Sequence, residues 1–438
     1  MNCKLTYVLL TAVVLLHTPR QLQADDTNAK NMAILSDLCE IIAIATGNTD
    51  HIPKPDLAGS DLSRLEVINM SLADDDWRNS IPTEDATQPT EEDQCYKADN
   101  TTACKEMRAG WIKAKKSMKT TTNLPKSKQL TAANLKTQLR KSAAETVAVL
   151  IEEAKHVAAE YAANEKPKLQ YVTDKLARDA NEALYSKAEP AAGGGNLCDI
   201  RPEADRHTTC KIDKQAKYLC VAAVCLCGED STQRQKICEG ALTVAVTDWT
   251  STSLKTPFGA IKNKCDTMPK RRLTAAALTS AIDRLLAKAS TNAVNGTHSG
   301  VVLGQAATST APCATEANKG CVDLTPLTVA KRTGAKADES FIGKLRTVAL
   351  NVQQAEQATN SKIAAEAALK KIQATADAVY LRVSLALPEA TQPTPTTENR
   401  VDKRKQECDT IKTAAECREK KPNVNGKTKM PMKAPTAN

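Results

Sequence analysis

Four histidines follow the first thirty residues, His51, His156, His207 and His298, each alone in its stretch of sequence. No two share the spacing of a helical zinc pair, and no Gly-x-Ser-x-Gly turn presents a nucleophile. Gly426-Lys427-Thr428 has the ending of a phosphate-binding loop, but Lys421 stands where the first glycine of such a loop belongs. Cys220, Cys225, Cys227 and Cys238 lie close enough in sequence to surround a zinc ion as thiolates. The same sulfurs in an oxidising compartment pair with one another instead, so the reading turns on where the chain resides. Three Asn-x-Ser/Thr sequons offer a different chemistry, glycan acceptance, at Asn69, Asn100 and Asn295.

The N-terminus supplies the compartment. Lys4 precedes an apolar run from Leu5 to Leu16, too short to span a bilayer, and Leu22-Gln23-Ala24 forms a cleavage site before Asp25. Residues 1–24 therefore read as a secretory leader. Of fifteen cysteines, Cys3 leaves with the leader, and an even set of fourteen remains for complete pairing. Structural disulfides are thus expected in place of zinc, and no metal, cofactor or catalytic set is assigned. Cys225 and Cys227 are too close to bridge one another, so each must reach elsewhere. Spacing predicts local bridges Cys95–Cys104 and Cys313–Cys321, and Cys408 and Cys417 are left to each other. Cys39 is expected to tie an early helix to the region starting at Cys198, within a limit of seven bridges. Each sequon reads as a loop; Asn295-Gly296 is also a turn dipeptide.

Such sites must be held by elements built almost without aromatic residues, since the 438-residue chain has three Trp, seven Tyr and two Phe. Burial has to come from aliphatic side chains on closely packed helices, reinforced by disulfides. The formal charge of +9 falls to +7 without Lys4 and Arg20. Residues 400–438, with eleven basic and five acidic side chains, hold +6 of that. The body is close to neutral, which argues against a nucleic-acid groove.

Two stretches carry helical periodicity. Leu135, Leu139, Ala143, Val147, Leu150, Ala154, Val157 and Tyr161 keep one apolar stripe, with Thr131 as the expected N-cap. Pro167 should interrupt this helix before it resumes over 168–188, and Pro190 with Gly193-Gly194-Gly195 should end it. The second stretch runs over 340–387, where Leu369, Ile372, Ala376, Val379, Val383 and Ala386 repeat at three and four. The two are expected to pack antiparallel in an elongated, mainly α bundle. Between them, 196–330 holds nine cysteines among Thr, Gly and Pro, and reads as loops and short elements. Residues 25–387 form one helical domain, 388–405 a Pro/Thr linker and 406–438 a short Cys-containing segment.

Asn31-Met32-Ala33-Ile34-Leu35-Ser36-Asp37-Leu38-Cys39-Glu40, two Ala-rich helices, a Cys-rich middle, a Thr/Pro linker and the closing Cys408-Asp409-Thr410-Ile411-Lys412-Thr413-Ala414-Ala415-Glu416-Cys417 resemble the variant surface glycoproteins of African trypanosomes, with a B-type N-terminal domain. The resemblance implies a homodimer on a helical coiled coil, packed as a lipid-anchored coat that hides the cell and meets host antibodies as antigen. It also admits a nutrient receptor on the same scaffold, which would need a defined apolar or basic binding patch. The chain departs from the family at its end, where two cysteines and no apolar tail precede Asn438. Export to the cell surface without lipid attachment is the expectation for the chain as printed.

Overall fold

A computed structural model describes residues 29–57, 60–82, 102–118, 130, 138–187, 197–230, 236–294, 298–308, 311–328 and 337–385. Its principal helices are α1 (Met32–Ala45), α2 (Ser60–Leu72), α3 (Asp75–Ser80), α4 (Thr102–Ser117), α5 (Gln138–Asn164), α6 (Lys166–Asp174), α7 (Leu176–Tyr185), α8 (Arg206–Thr209), α9 (Leu219–Cys227), α10 (Lys255–Cys265), α11 (Ala275–Leu286) and α12 (Phe341–Leu385). One antiparallel sheet, β1 (Ala289–Val294), β2 (His298–Gln305) and β3 (Gly320–Asp323), lies in that order in the chain and in space. The mainly helical fold is the one the sequence implies.

The chain divides into two compact units, the first made of residues 1–63 and 150–374. Here the antiparallel pairing of the long helices is visible. Lys344, early in α12, pairs with Glu182 near the end of α7 at 2.7 Å. Tyr161 and Leu169 share a small core with Ala355 and Ala358 further along α12. One run therefore ascends while the other descends, and fully buried Ala355 and Ala358 leave room for close approach. Ser340 caps α12, its hydroxyl accepting the Gly343 N–H at 3.2 Å.

The break at Pro167 appears as a restart, with the proline in the first turn of α6 where its missing N–H costs nothing. A second interruption at Lys175 has no proline or glycine to announce it. Thr173 turns its hydroxyl onto the Gln170 carbonyl at 3.0 Å and onto Asp174, side-chain competition of the kind that ends helical ladders. The helix then stops at Ser186, in the left-handed region at φ 67°, before the expected Pro190.

The rest of this unit is made of short elements tied by bridges, and one of them is a helix that the sequence reading did not single out. All nine residues of α9, Leu-Cys-Val-Ala-Ala-Val-Cys-Leu-Cys, are buried, so the segment is a core helix. Around it pack α1, α7, α10 and the sheet. β1 pairs with β2 from Ala289↔Leu303 to Val294↔His298, and β2 with β3 from Val302↔Asp323 to Gln305↔Gly320. β3 is buried along its whole length. Gly304 (φ 99°) is required here, because a Cβ would meet the Gly320 carbonyl at 2.4 Å.

The second unit comprises residues 64–149 and 375–438. Its small core joins Val67, Met70, Ile81, Ile112 and Ala114, with Trp77 and Trp111 packed edge-on at 5.3 Å. That pair spends two of the three tryptophans on one contact. Arg64 grips Asp377 through two nitrogens, at 2.9 and 3.3 Å.

Candidate functional site

The chemistry-bearing residues converge on α9. Its three cysteines each find a separate partner. Cys220 bonds Cys198, Cys225 bonds Cys210, and Cys227 bonds Cys238. All four sulfurs of the zinc reading are consumed in disulfides. Cys313 bonds Cys321 across eight residues of sequence. Cys39 bonds Cys265, joining α1 to the end of α10. It thus reaches the Cys-rich region at its far side, and Cys198 stays with its neighbour Cys220. The pairs expected for Cys95–Cys104 and Cys408–Cys417 involve residues outside the described ones.

A buried helix leaves its last carbonyls without partners unless something is brought to them. Two polar side chains perform this for α9. Asn31, completely buried just before α1, donates its side-chain amide to the Leu226 and Gly320 carbonyls, both at 2.8 Å. Its backbone N–H donates to Ile237 O at 2.8 Å, so one residue ties α9, β3 and the 237 loop together.

Arg206 is the other, only 2% exposed. Its guanidinium donates to Cys225 O at 3.2 Å and Gly228 O at 3.3 Å, faces Asp230 at 3.7 Å and lies 5.1 Å from the Trp249 ring centre. Burial pushes its pKa down to about 10, against the pull of Asp230, so it remains a cation at neutral pH. It is held by α8, whose start Asp205 fixes by accepting the Thr208 N–H at 2.6 Å. That contact also keeps the Asp205 carboxyl below its usual range. Sequence reading missed Arg206. The available signal was its place four residues before Cys210 in a cysteine-dense segment, where a charged side chain has little surface to reach.

The histidines whose side chains are described, His51, His156 and His207, do not assemble, and His298 is not among them. His51 faces Glu356 at 3.4 Å, His156 lies exposed 4.0 Å from Glu160, and His207 follows Arg206 on α8. Burial lowers the His207 pKa, with Lys211 acting the same way. Of the sequons, Asn100 and Asn295 lie outside the described residues. Asn69 is not in a loop, as read from sequence, but within α2. Leu65, Ile68 and Leu72 give that segment a buried helical stripe, which outweighs the sequon's polarity. Met70 and Ser71 are 2% and 4% exposed, and the Ser71 hydroxyl donates to Ile68 O at 2.7 Å.

A sequence profile described as the trypanosomal VSG domain matches residues 13–371. The chain belongs to this family. The B-type VSG match covers most of the 438 residues, including α1, α9 and every described disulfide. No curated protein matches the chain. VSG domains are structural components of a cell-surface coat, a role that rests on shape and surface rather than a reacting centre. None of the described helices is long and apolar enough to cross a membrane.

Proposed function

We propose that this chain is a variant surface coat glycoprotein that shields the parasite surface and supports immune evasion by antigenic variation. The VSG-domain match over residues 13–371 carries the reading. The physical support is the separation of frame from surface. Within the first unit, disulfides and the buried contacts of α9 fix the backbone, while exposed substitutions on a fixed backbone typically change stability by less than about 0.5 kcal/mol. Sequence variation can then alter what an antibody meets without unfolding the frame.

Self-association belongs to the same proposal. Leu350 and Ile363 on α12 stand 53% and 59% exposed, two separate aliphatic side chains left for a second copy to cover. Expressed as the sole coat protein of a trypanosome, the chain is expected to block antibody access to an invariant surface protein beneath it. Light scattering at micromolar concentration should give a dimer mass. Open antibody access together with a monomer mass would refute the coat reading.

Asn100 and Asn295 are the glycan positions in this proposal. Transfer to Asn69 needs the Ser71 hydroxyl presented to the transferase, and closure of α2 hides it. Asn69→Gln is expected to leave the electrophoretic mobility of the glycosylated chain unchanged, whereas Asn100→Gln and Asn295→Gln each remove one glycan step. A step lost with Asn69→Gln would show that transfer precedes closure of the helix.

A further inference from the structure

Residues 262–288 carry seven basic side chains and two acidic ones in a body that is otherwise close to neutral. Three of the seven, Lys270, Arg271 and Arg272, are consecutive and exposed. Their backbone is anchored on both sides. Cys265 is bonded to Cys39, and Leu273, 1% exposed, donates its N–H to Asn48 O at 3.0 Å. Between these points the Arg271 N–H reaches Ala43 O at 3.5 Å, and Arg272 forms a bridge with Asn48. Gly47 passes so close that a Cβ would fall 1.8 Å from the Arg271 carbonyl oxygen.

The neighbouring charges extend this surface. Arg271 and Arg284 each take one oxygen of Glu40, and Lys288 pairs with Asp37, one turn earlier on α1. Two carboxylates thus gather three cations along one side of α1. Lys270 and Arg272 add two more, with no carboxylate partner among the described residues.

We propose that the Lys270-Arg271-Arg272 loop, with Arg284 and Lys288 beside it, is a docking surface for a sulfated glycosaminoglycan. Guanidinium groups match sulfate oxygens in the two-pronged manner they use for phosphate. A backbone already fixed loses little further freedom when a chain binds, so the charges act with less entropic opposition. Disulfides place the protein where extracellular polysaccharides are the abundant polyanions. Residues 262–288 contain no aromatic side chain on which nucleic-acid bases could stack. The inference is independent of the coat reading.

Binding of the full chain to heparin in 0.1 M NaCl tests it. Lys270→Ser with Arg272→Ser leaves the Arg271–Glu40 pair in place and is expected to weaken binding about thirtyfold, two basic residues near an anionic surface each contributing on the order of 1 kcal/mol. The salt dependence should flatten as fewer counterions are released. Because residues 400–438 carry their own positive excess, a second variant replaces Lys420, Lys421 and Lys427 by serine and is expected to retain most of the affinity. A third, Lys270→Arg with Arg272→Lys, keeps the charge and should bind within about twofold of the parent. Thermal melting guards against unfolding, and if the double serine variant melts early the single variants Lys270→Ser and Arg272→Ser, each expected to weaken binding about fivefold, decide the matter. The proposal is overturned if the parent chain does not bind, if the serine loop variant binds as the parent does, or if the tail variant alone abolishes binding. Tighter binding to duplex DNA or to phosphatidylserine vesicles than to heparin would also overturn it.

Discussion

Replacing Cys39 and Cys265 together by alanine is expected to lower the stability of the first unit by about 5 kcal/mol, the largest loss for any of the five described bridges. The bridge spans 226 residues of sequence, so in the chain-entropy account its removal frees the denatured chain more than loss of any local bridge. Nested bridges shorten the effective loop, but the dependence is logarithmic and the correction is only a few tenths of a kcal/mol. The same account gives about 2.5 kcal/mol for Cys313–Cys321, separated by eight residues. Equilibrium denaturation of the two double variants under non-reducing conditions measures the difference directly. Equal losses would show that the denatured chain retains the contact between α1 and α10 and that loop closure is not the source of the stabilisation.

What the sequence reveals depends on how local the controlling contact is. The 340–387 expectation lies close to the observed Phe341–Leu385, because α12 is specified by an uninterrupted period and a serine at its start. Pro167 likewise acts on its own turn. The interruption at Lys175 depends on which way the Thr173 hydroxyl turns, and periodicity carries no record of that. α9 was hidden for a different reason. A helix buried on every side has no polar face, so its nine residues show no amphipathic period and read as part of a cysteine-rich loop region.

The long-range pairings follow the same logic. Cys313 and Cys321 are neighbours in sequence, whereas Cys39 finds Cys265 only because α1 packs against α10. Asn31 offers a more instructive case. It begins the Asn31-Met32-Ala33-Ile34 stretch on which the family resemblance rests, yet its work is done on carbonyls at 226 and 320. A motif quoted for resemblance thus contains a polar lock whose partners no local pattern could name.

Arg206→Ala is expected to cost about 3–5 kcal/mol, the range for removing one partner of a buried ion pair. The loss has two sources. Asp230, 7% exposed, would keep its charge in the interior without the guanidinium opposite it. The Cys225 and Gly228 carbonyls would lose their donors in a region where α9 is fully covered. Arg206→Lys separates the two effects, since an ammonium keeps the charge but sits on a shorter side chain than the Nη2 that donates to both carbonyls. It should recover part of the stability, whereas Arg206→Ala combined with Asp230→Ala removes the carboxylate that faces the guanidinium and with it that share of the loss. Denaturation midpoints of the three variants should therefore fall in the order Lys, then double alanine, then single alanine. A single-alanine variant as stable as the parent would mean that Arg206 fills space beside Trp249 without capping α9, and the account of how the cysteine helix is closed would have to change.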